Sequence, residues 1–336
     1  MNPFLPKSFA LLSIGAALLL TAALPHARAQ TAADWPQHPI TIVMTFPAGS
    51  GVDVIGRIVQ EPLSKALAQP VIIDYKPGAA GNIASEFVSR AKPDGYTLEL
   101  GTAATHGSNA AIYKRLPFDV EADFVPVAPL IDVSNVLTIH PNVIDVSTLK
   151  EFVDEVKAHP GKYNFASTGN GTGTHMAFAE FNSRVGLDMV HVPYKGGPDA
   201  IGGLLKGETC CFMNQVQTVL PHYKAGKVRL LGITTATPVP ALKEVPTIGS
   251  SGIPGTEGFD SSIWFGLFAP KGTDPAVVDK LNAAVRSVLQ QPEVKARLES
   301  TGNTVRIETP EEFRATVKAN RQKWAEVVKA AHISIE

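Results

Sequence analysis

Short apolar runs rich in β-branched residues alternate with longer stretches of helical period along most of this chain. The runs at 40–45, 70–74, 97–101, 135–139, 163–166, 189–192, 209–213, 229–234 and 263–269 predict strands. The stretches at 53–68, 81–91, 107–114, 147–158, 174–185, 197–206, 216–224, 274–290, 292–301 and 310–331 predict helices. Val54, Ile58, Val59, Leu63 and Leu67 share one face of the first helix, and Asp53 stands where an N-cap or first-turn acid belongs. Phe313, Val317, Trp324, Val327 and Val328 recur at near-helical spacing and predict a packing face on the last helix. Such alternation predicts an α/β protein with mostly parallel sheets flanked by crossover helices. The longest irregular stretch, 238–258, carries Pro238, Pro240, Pro246 and Pro254 and suits a connection that returns from one lobe to another. With crossings at 136–139 and 230–234, lobe one is expected at 30–136 and 233–336, and lobe two at 137–232.

The N-terminus changes the picture of where the protein works. Lys7 precedes the apolar run 10–20, and Ala27-Arg28-Ala29 offers small residues at the spacing of a signal-peptidase site. The run is shorter than the ~20 residues of a membrane-spanning helix, so residues 1–29 are expected to be a signal peptide and the mature protein to reside in the periplasm. Their removal takes away Lys7 and Arg28 and moves the formal charge from −1 to −3. That balance argues against nucleic-acid partners, which require basic stripes. Cys210 and Cys211 are the only cysteines. Neighbours reach disulfide geometry only with strain, so they are expected to be free, buried thiols on opposite faces of a strand. No metal-ligand spacing and no cofactor motif is present.

The chemistry concentrates in two glycine-rich loops, each reading as strand, tight turn and helix start. The first is Phe46-Pro47-Ala48-Gly49-Ser50-Gly51-Val52-Asp53; the second is Ala166-Ser167-Thr168-Gly169-Asn170-Gly171-Thr172-Gly173-Thr174-His175. Helix N-termini leave N–H groups unpaired and carry partial positive charge, which suits a carboxylate or phosphate. Neither loop holds an arginine, so an anion there would rely on N–H groups, hydroxyls and water. There is no G-x-S-x-G elbow and no H-E-x-x-H; a secreted hydrolase would have to rest on Ser50 with His106 or His175 alone. A binding protein, not an enzyme, is the expectation.

Ordered motifs over almost the whole mature chain carry a resemblance. They include Phe46-x-Ala48-Gly49 with Asp53, Pro77-Gly78-Ala79 with Gly81, Pro93-Asp94-Gly95-Tyr96-Thr97-Leu98, and Asp123-Phe124-x-Pro126-Val127. Further along come Ser167-x-Gly169-x-Gly171 with His175, His191-Val192-Pro193-Tyr194-Lys195-Gly196, and Trp264-x-Gly266-Leu267-x-Ala269-Pro270. The chain resembles the solute receptors of tripartite tricarboxylate transporters, the Bug (Bordetella uptake gene) family. The resemblance implies a two-lobed periplasmic-binding-protein fold of the type II kind, with a small carboxylate held between lobes by loop donors and ordered water. Mapped onto this chain, the first lobe would contribute Phe46, Pro47, Ala48, Gly49, Ser50 and Asp53, with Thr102, Thr105, His106, Ser108 and Asn109 from a neighbouring segment. The second lobe would contribute Ser167, Gly169, Asn170, Gly171, Thr172, His175 and Asp199. Asn214 and Gln215, directly after a strand, would meet a second polar group. Ser50 stands where the family usually has a glycine, and Tyr75 where asparagine is common.

The resemblance implies delivery of the ligand to a large and a small integral membrane subunit; a membrane sensor kinase as the recipient shares the same pocket and stays open. A dicarboxylate or an aromatic acid such as terephthalate is the favoured ligand. An amino acid would need an acidic partner for its ammonium, for which Asp199 is the candidate. A monomer is the default, and no cofactor or metal is expected.

Overall fold

The computed structural model describes residues 34–236 and 238–330, and the signal peptide expected at 1–29 lies outside them. Of the N-terminal unit, Met1–Trp35, only residues 34–35 are described; the rest of the chain forms one compact unit.

Within that unit the chain alternates between strands and helices. It opens with β1 (Ile40–Met44), α1 (Gly51–Leu67), β2 (Val71–Tyr75), α2 (Asn82–Ser89) and β3 (Thr97–Thr102). A π-turn (Ala104–Ser108) then runs into the short α3 (Asn109–Ile112) and β4 (Phe124–Val133). The middle of the chain contributes β5 (Asn135–Ile139), α4 (Leu149–Ala158), β6 (Asn164–Ser167), α5 (Gly173–Val185) and β7 (Val190–Pro193). It continues with α6 (Gly197–Leu205), β8 (Cys211–Gln215), α7 (Val216–Lys224) and β9 (Arg229–Ile233). The chain closes with β10 (Ile263–Pro270), α8 (Pro275–Leu289), α9 (Pro292–Ser300), β11 (Asn303–Val305) and α10 (Pro310–Ala330).

Two sheets result, a six-stranded one in the order β11-β4-β10-β3-β1-β2 and a five-stranded one in the order β7-β6-β8-β5-β9. In the first, β2, β1 and β3 are parallel and β10 runs against both β3 and β4. In the second, β7, β6 and β8 are parallel and β5 runs against β8 and β9. Helix starts therefore gather at the carboxyl ends of the parallel strands, the edge where α/β sheets bind ligands. The chain passes from β4 to β5 through Ser134 alone and returns after β9 through 234–262. The two passages are tied together: Thr234 N–H donates to Asn135 O at 3.0 Å, and Asn135 N–H to Thr234 Oγ1 at 3.2 Å.

Side chains alternate across the second sheet as pleating requires. Leu137, Phe165 and Met213 pack with Phe178 and Phe181 on one face, while Val136, Ala166 and Phe212 pack with Leu204 and Val219 on the other. The cysteines correct the expectation of opposite faces. β8 begins only at Cys211, so Cys210 lies in the bend before it, and both thiols pack in the same apolar cluster against Asn164 O, at 2.9 and 3.6 Å. Both are free, and burial pushes the Cys211 thiol well above its ordinary value.

Two strands escaped the pattern. β4 contains Pro126 and Pro129, which argue against a central strand. It tolerates them because β11 covers only its last residues, 131–133, and because both lie beside register shifts against β10. β11 is too short to show a period.

Candidate functional site

The first-lobe loop is built by α1. Ser50, not Asp53, is the N-cap: its hydroxyl accepts the Asp53 N–H at 3.3 Å. Asp53 is freed to hold the loop from beneath. Its buried carboxylate accepts Gly49 N–H at 2.7 Å, Arg57 Nε at 2.8 Å and the Tyr75 hydroxyl at 2.5 Å. Arg57 also donates to Tyr75 at 2.6 Å, so tyrosine at this position completes a closed cluster. With the carboxylate thus occupied, Gly49 keeps the left-handed backbone (φ 79°) that bends the loop toward the second lobe.

A second first-lobe turn comes from Pro77 to Gly81, which the site expectation missed. Gly78, Ala79, Ala80 and Gly81 all have positive φ (130°, 47°, 53° and 92°). Left-handed backbone at two alanines costs free energy, and such strain gathers at binding sites. Asn109 stabilises the turn, donating to Ala80 O at 3.3 Å and to Asn82 Oδ1 at 2.6 Å. The sequence signal was the Pro-Gly-Ala-x-Gly run after β2.

In the second lobe, residues 167–172 form a loop held by its own side chains. Ser167 Oγ accepts Gly169 N–H at 3.1 Å and lies 2.6 Å from His191 Nε2. Thr174 Oγ1 accepts Thr168 N–H at 2.9 Å, and Thr172 Oγ1 donates to Gly169 O at 2.8 Å. His175 Nδ1 accepts Gly171 N–H at 3.1 Å. Burial holds the His175 ring down at about 3, with His191 beside it contributing, and burial holds His191 at about 4; both imidazoles are neutral at pH 7. The lobes touch here, because Ser108 Oγ donates to Gly171 O at 2.8 Å.

Between the two sheets lies a cleft of about 750 Å³. Its walls come from Phe46, Pro47 and Ala48, the turn 77–81, and Tyr113 on one side, and from Thr168, Gly169, Asn170 and residues 193–196 with Pro198 and Asp199 on the other. At its inner end a small space of about 20 Å³ is lined by Ser50, Gly51, Val52, Thr102, Thr174, Gly197 and Gln215 and shares Phe46 and Thr168 with the cleft. The first turns of α1, α5 and α6 thus converge on one point. Among the described residues nothing accepts from the N–H groups of Gly51 and Val52 in α1, Thr174 in α5 or Gly197 in α6. Three positive helix ends with unpaired donors make a preformed place for a negative charge. A second groove of about 850 Å³, near Asn282 and Arg314, is lined by the first lobe alone.

The expected residues divide accordingly. Phe46, Pro47, Ala48, Gly169, Asn170 and Asp199 line the cleft, and Ser50, Thr102 and Gln215 line its inner end. Gly49, Asp53, Ser108, Asn109, Ser167, Gly171, Thr172 and His175 shape the loops from behind. Three expectations are corrected. His106 is fully buried in the first lobe, its Nε2 at 3.1 Å from Glu99 and its ring stacked on Phe268. Thr105 is spent on a local turn, exchanging hydrogen bonds with Thr102. Asn214 stays inside β8, accepting from Gln215 N–H at 2.8 Å. Residues 104–108 wind into a π-turn, in which the Thr105 and His106 side chains are buried away from the cleft. Lys195 and Asp199 are the charged residues of the wall, and neither has an ion-pair partner among the described residues.

The profile of the family described as "Tripartite tricarboxylate transporter family receptor" (TctC) matches residues 55–333. Three solved structures are similar along their whole length. Rpa4515 of R. palustris, solved with adipate, has a TM-score of 0.86 at 28% identity and covers 90% of this chain and 99% of its own. The periplasmic binding protein BugD has a TM-score of 0.83 at 30% identity, covering 90% and 100%. MatC (Rpa3494) of Rhodopseudomonas palustris, with bound malate, has a TM-score of 0.81 at 32% identity, covering 88% and 100%.

Proposed function

Because the chain belongs to the tripartite tricarboxylate transporter receptor family, we propose that it is a periplasmic solute-binding protein, not an enzyme, that captures a small organic dicarboxylate between its lobes. It delivers that ligand to the large and small membrane subunits of a transporter. The lobes divide at Ser134 and again at Thr234. One observation carries the reading: three helix N-termini with unpaired N–H groups converge at the inner end of the cleft. Charge-assisted hydrogen bonds of about 1.5–3 kcal/mol each hold a carboxylate there without arginine. Lys195 on the cleft wall, lacking an acidic partner among the described residues, supports a second carboxylate. Phe46, Tyr113 and Tyr194 supply the apolar wall for the body of the ligand, aliphatic or aromatic as in terephthalate. The adipate and malate in Rpa4515 and MatC agree with this class.

The test is a thermal-shift panel of mono-, di- and tricarboxylates, aromatic acids and amino acids against the mature protein. A ligand at a hundred times its Kd adds about 2.7 kcal/mol of stability and raises Tm visibly. Dicarboxylates are expected to shift Tm and monocarboxylates to shift it less; a folded, ligand-free protein that responds to no acid defeats the proposal.

Asp53→Ala is expected to lower both stability and affinity. It takes the acceptor from the exposed Gly49 N–H and the half-buried Tyr75 hydroxyl, at about 0.5–1.5 kcal/mol for each hydrogen bond, since water can reach both groups. The Arg57 ion pair adds little, since that side chain is 55% exposed. Unchanged Tm and Kd in this variant would show that Asp53 does not hold the loop.

A further inference from the structure

We propose that His175 and His191 are positioning residues for the second-lobe cleft loop, each fixing it through one ring nitrogen while the two rings lie stacked. The proposal rests on the reading of the cleft as the ligand site. The rings stand with centroids 3.8 Å apart and planes 7° from parallel, and the stack continues onto Phe165. His175 anchors Gly171 directly; His191 anchors Gly169 through the Ser167 hydroxyl. Gly169 and Gly171 have φ of 131° and 78°, so the backbone here needs to be held. The same loop presents Gly169 and Asn170 to the cleft.

The chemistry fixes a tautomer. A nitrogen that accepts a backbone N–H carries no proton, so the His175 proton sits on Nε2. A proton added at Nδ1 would set donor against donor and free Gly171. Two imidazolium rings at this spacing would also repel each other. The titratable group facing each ring is the other histidine. Phe165 of β6 is uncharged, and Cys211 of β8 has its thiol pushed up by burial and carries no charge. Further along α5, Glu180 pairs with Arg184 at 3.4 Å and with Lys323 of α10 at 3.5 Å. On the first-lobe side, the π-turn offers the Ser108 hydroxyl to Gly171 O, and its His106 is paired with Glu99. Among the described residues, therefore, no carboxylate stands ready to favour a charged stack. Both folded values, about 3 and about 4, lie below the 6.5 of a free histidine. The unfolded chain then binds more protons between those limits, so stability is complete above 6.5 and declines as pH falls toward 4.

The experiment measures adipate affinity by calorimetry in four variants at neutral pH. His175→Asn keeps an acceptor oxygen near the Nδ1 position, and His191→Gln keeps an amide near Nε2; His175→Leu and His191→Leu keep bulk alone. The leucine variants are expected to weaken adipate binding about tenfold, and the amide variants to stay within about threefold of wild type. The ligand-free wild-type Tm is expected to be flat above about pH 6.5 and to decline toward pH 4, and the double amide variant to decline less. Folded leucine variants that bind as tightly as wild type, or an asparagine variant as weak as leucine, overturn the proposal. If the leucine variants misfold, histidine ¹⁵N spectra of the wild type decide: an unprotonated Nδ1 on His175 supports the anchor, and a protonated one overturns it. A wild type that binds no carboxylate at all defeats the ligand reading, while the same spectra still decide the positioning role.

Discussion

Gly173→Ala is expected to weaken carboxylate binding more than tenfold while leaving the ligand-free protein about as stable as before. Gly173 is the first residue of α5, and its φ is not in the left-handed region, so its backbone accepts alanine and gains helix propensity. The obstacle lies across the cleft. An alanine Cβ would stand 2.7 Å from both Cδ1 and Cγ2 of Ile263 and 3.4 Å from its Cβ. Ile263 begins β10 of the other sheet, is buried and is paired to Val133. A β-branched side chain is stiff at χ1, and Ile263 is packed in a buried strand, so it cannot leave its rotamer without cost to its neighbours. The N-terminus of α5 must therefore back away from β10, taking Thr174 out of the ring of helix starts at the inner end. Closed lobes are what remove the ligand from water and strengthen each polar contact. Gly202→Ala in α6 is the control: nothing lies within 4 Å of its Cβ position, so it should leave Kd alone and stabilise by up to about 1 kcal/mol. Wild-type affinity in Gly173→Ala would mean that ligand is held without this contact between the lobes.

The two glycine-rich loops were legible because their chemistry is local. A strand end, a glycine with positive φ and a helix start all fall within a few residues, and backbone N–H groups at helix starts point along the axis whatever the neighbours do. What the sequence concealed was the direction of side chains governed by long-range packing. His106 and His175 look alike as histidines just past a strand end. One is drawn into the first lobe by Glu99 on the strand before it, and the other turns back onto its own loop. A glutamate inside the apolar run Leu98-Glu99-Leu100 was the available signal, since a central strand buries both faces and such a residue demands a partner. Tyr194, Lys195 and the turn at 77–81 entered the motif comparison yet were not assigned to the cleft. Their place depends on how the lobes meet, which no local pattern encodes.

Glu99→Ala is expected to cost about 2–4 kcal/mol, because it removes a buried hydrogen-bond partner and leaves a cavity. Glu99 and His106 are both fully buried in the middle of the first lobe. Glu99 Oε1 accepts the Ser85 hydroxyl of α2 at 2.8 Å, and Oε2 lies 3.1 Å from His106 Nε2 in the π-turn. The His106 ring is clamped between Phe268, stacked at 3.6 Å, and the edge of Phe124 at 4.7 Å, so it cannot swing to another partner. Alanine would leave His106 Nε2 without its partner and Ser85 with only Gly81 O at 3.4 Å, and would open a cavity, whereas Glu99→Gln keeps two hydrogen-bonding atoms and should cost less than half as much. At roughly 2–4 °C per kcal/mol for a chain of this size, the alanine variant is expected to melt about 10 °C lower. The damage should reach the cleft. α2 starts at the strained turn 77–81, and the π-turn carries Ser108 and leads into Asn109, which brace Gly171 and Asn82. One buried carboxylate thus ties to β3 the two segments that shape the first-lobe wall. Affinity for adipate should therefore fall in Glu99→Ala even at temperatures where the variant is fully folded. A variant that loses stability but binds as well as wild type would show that α2 and the π-turn hold the wall without their tie to β3.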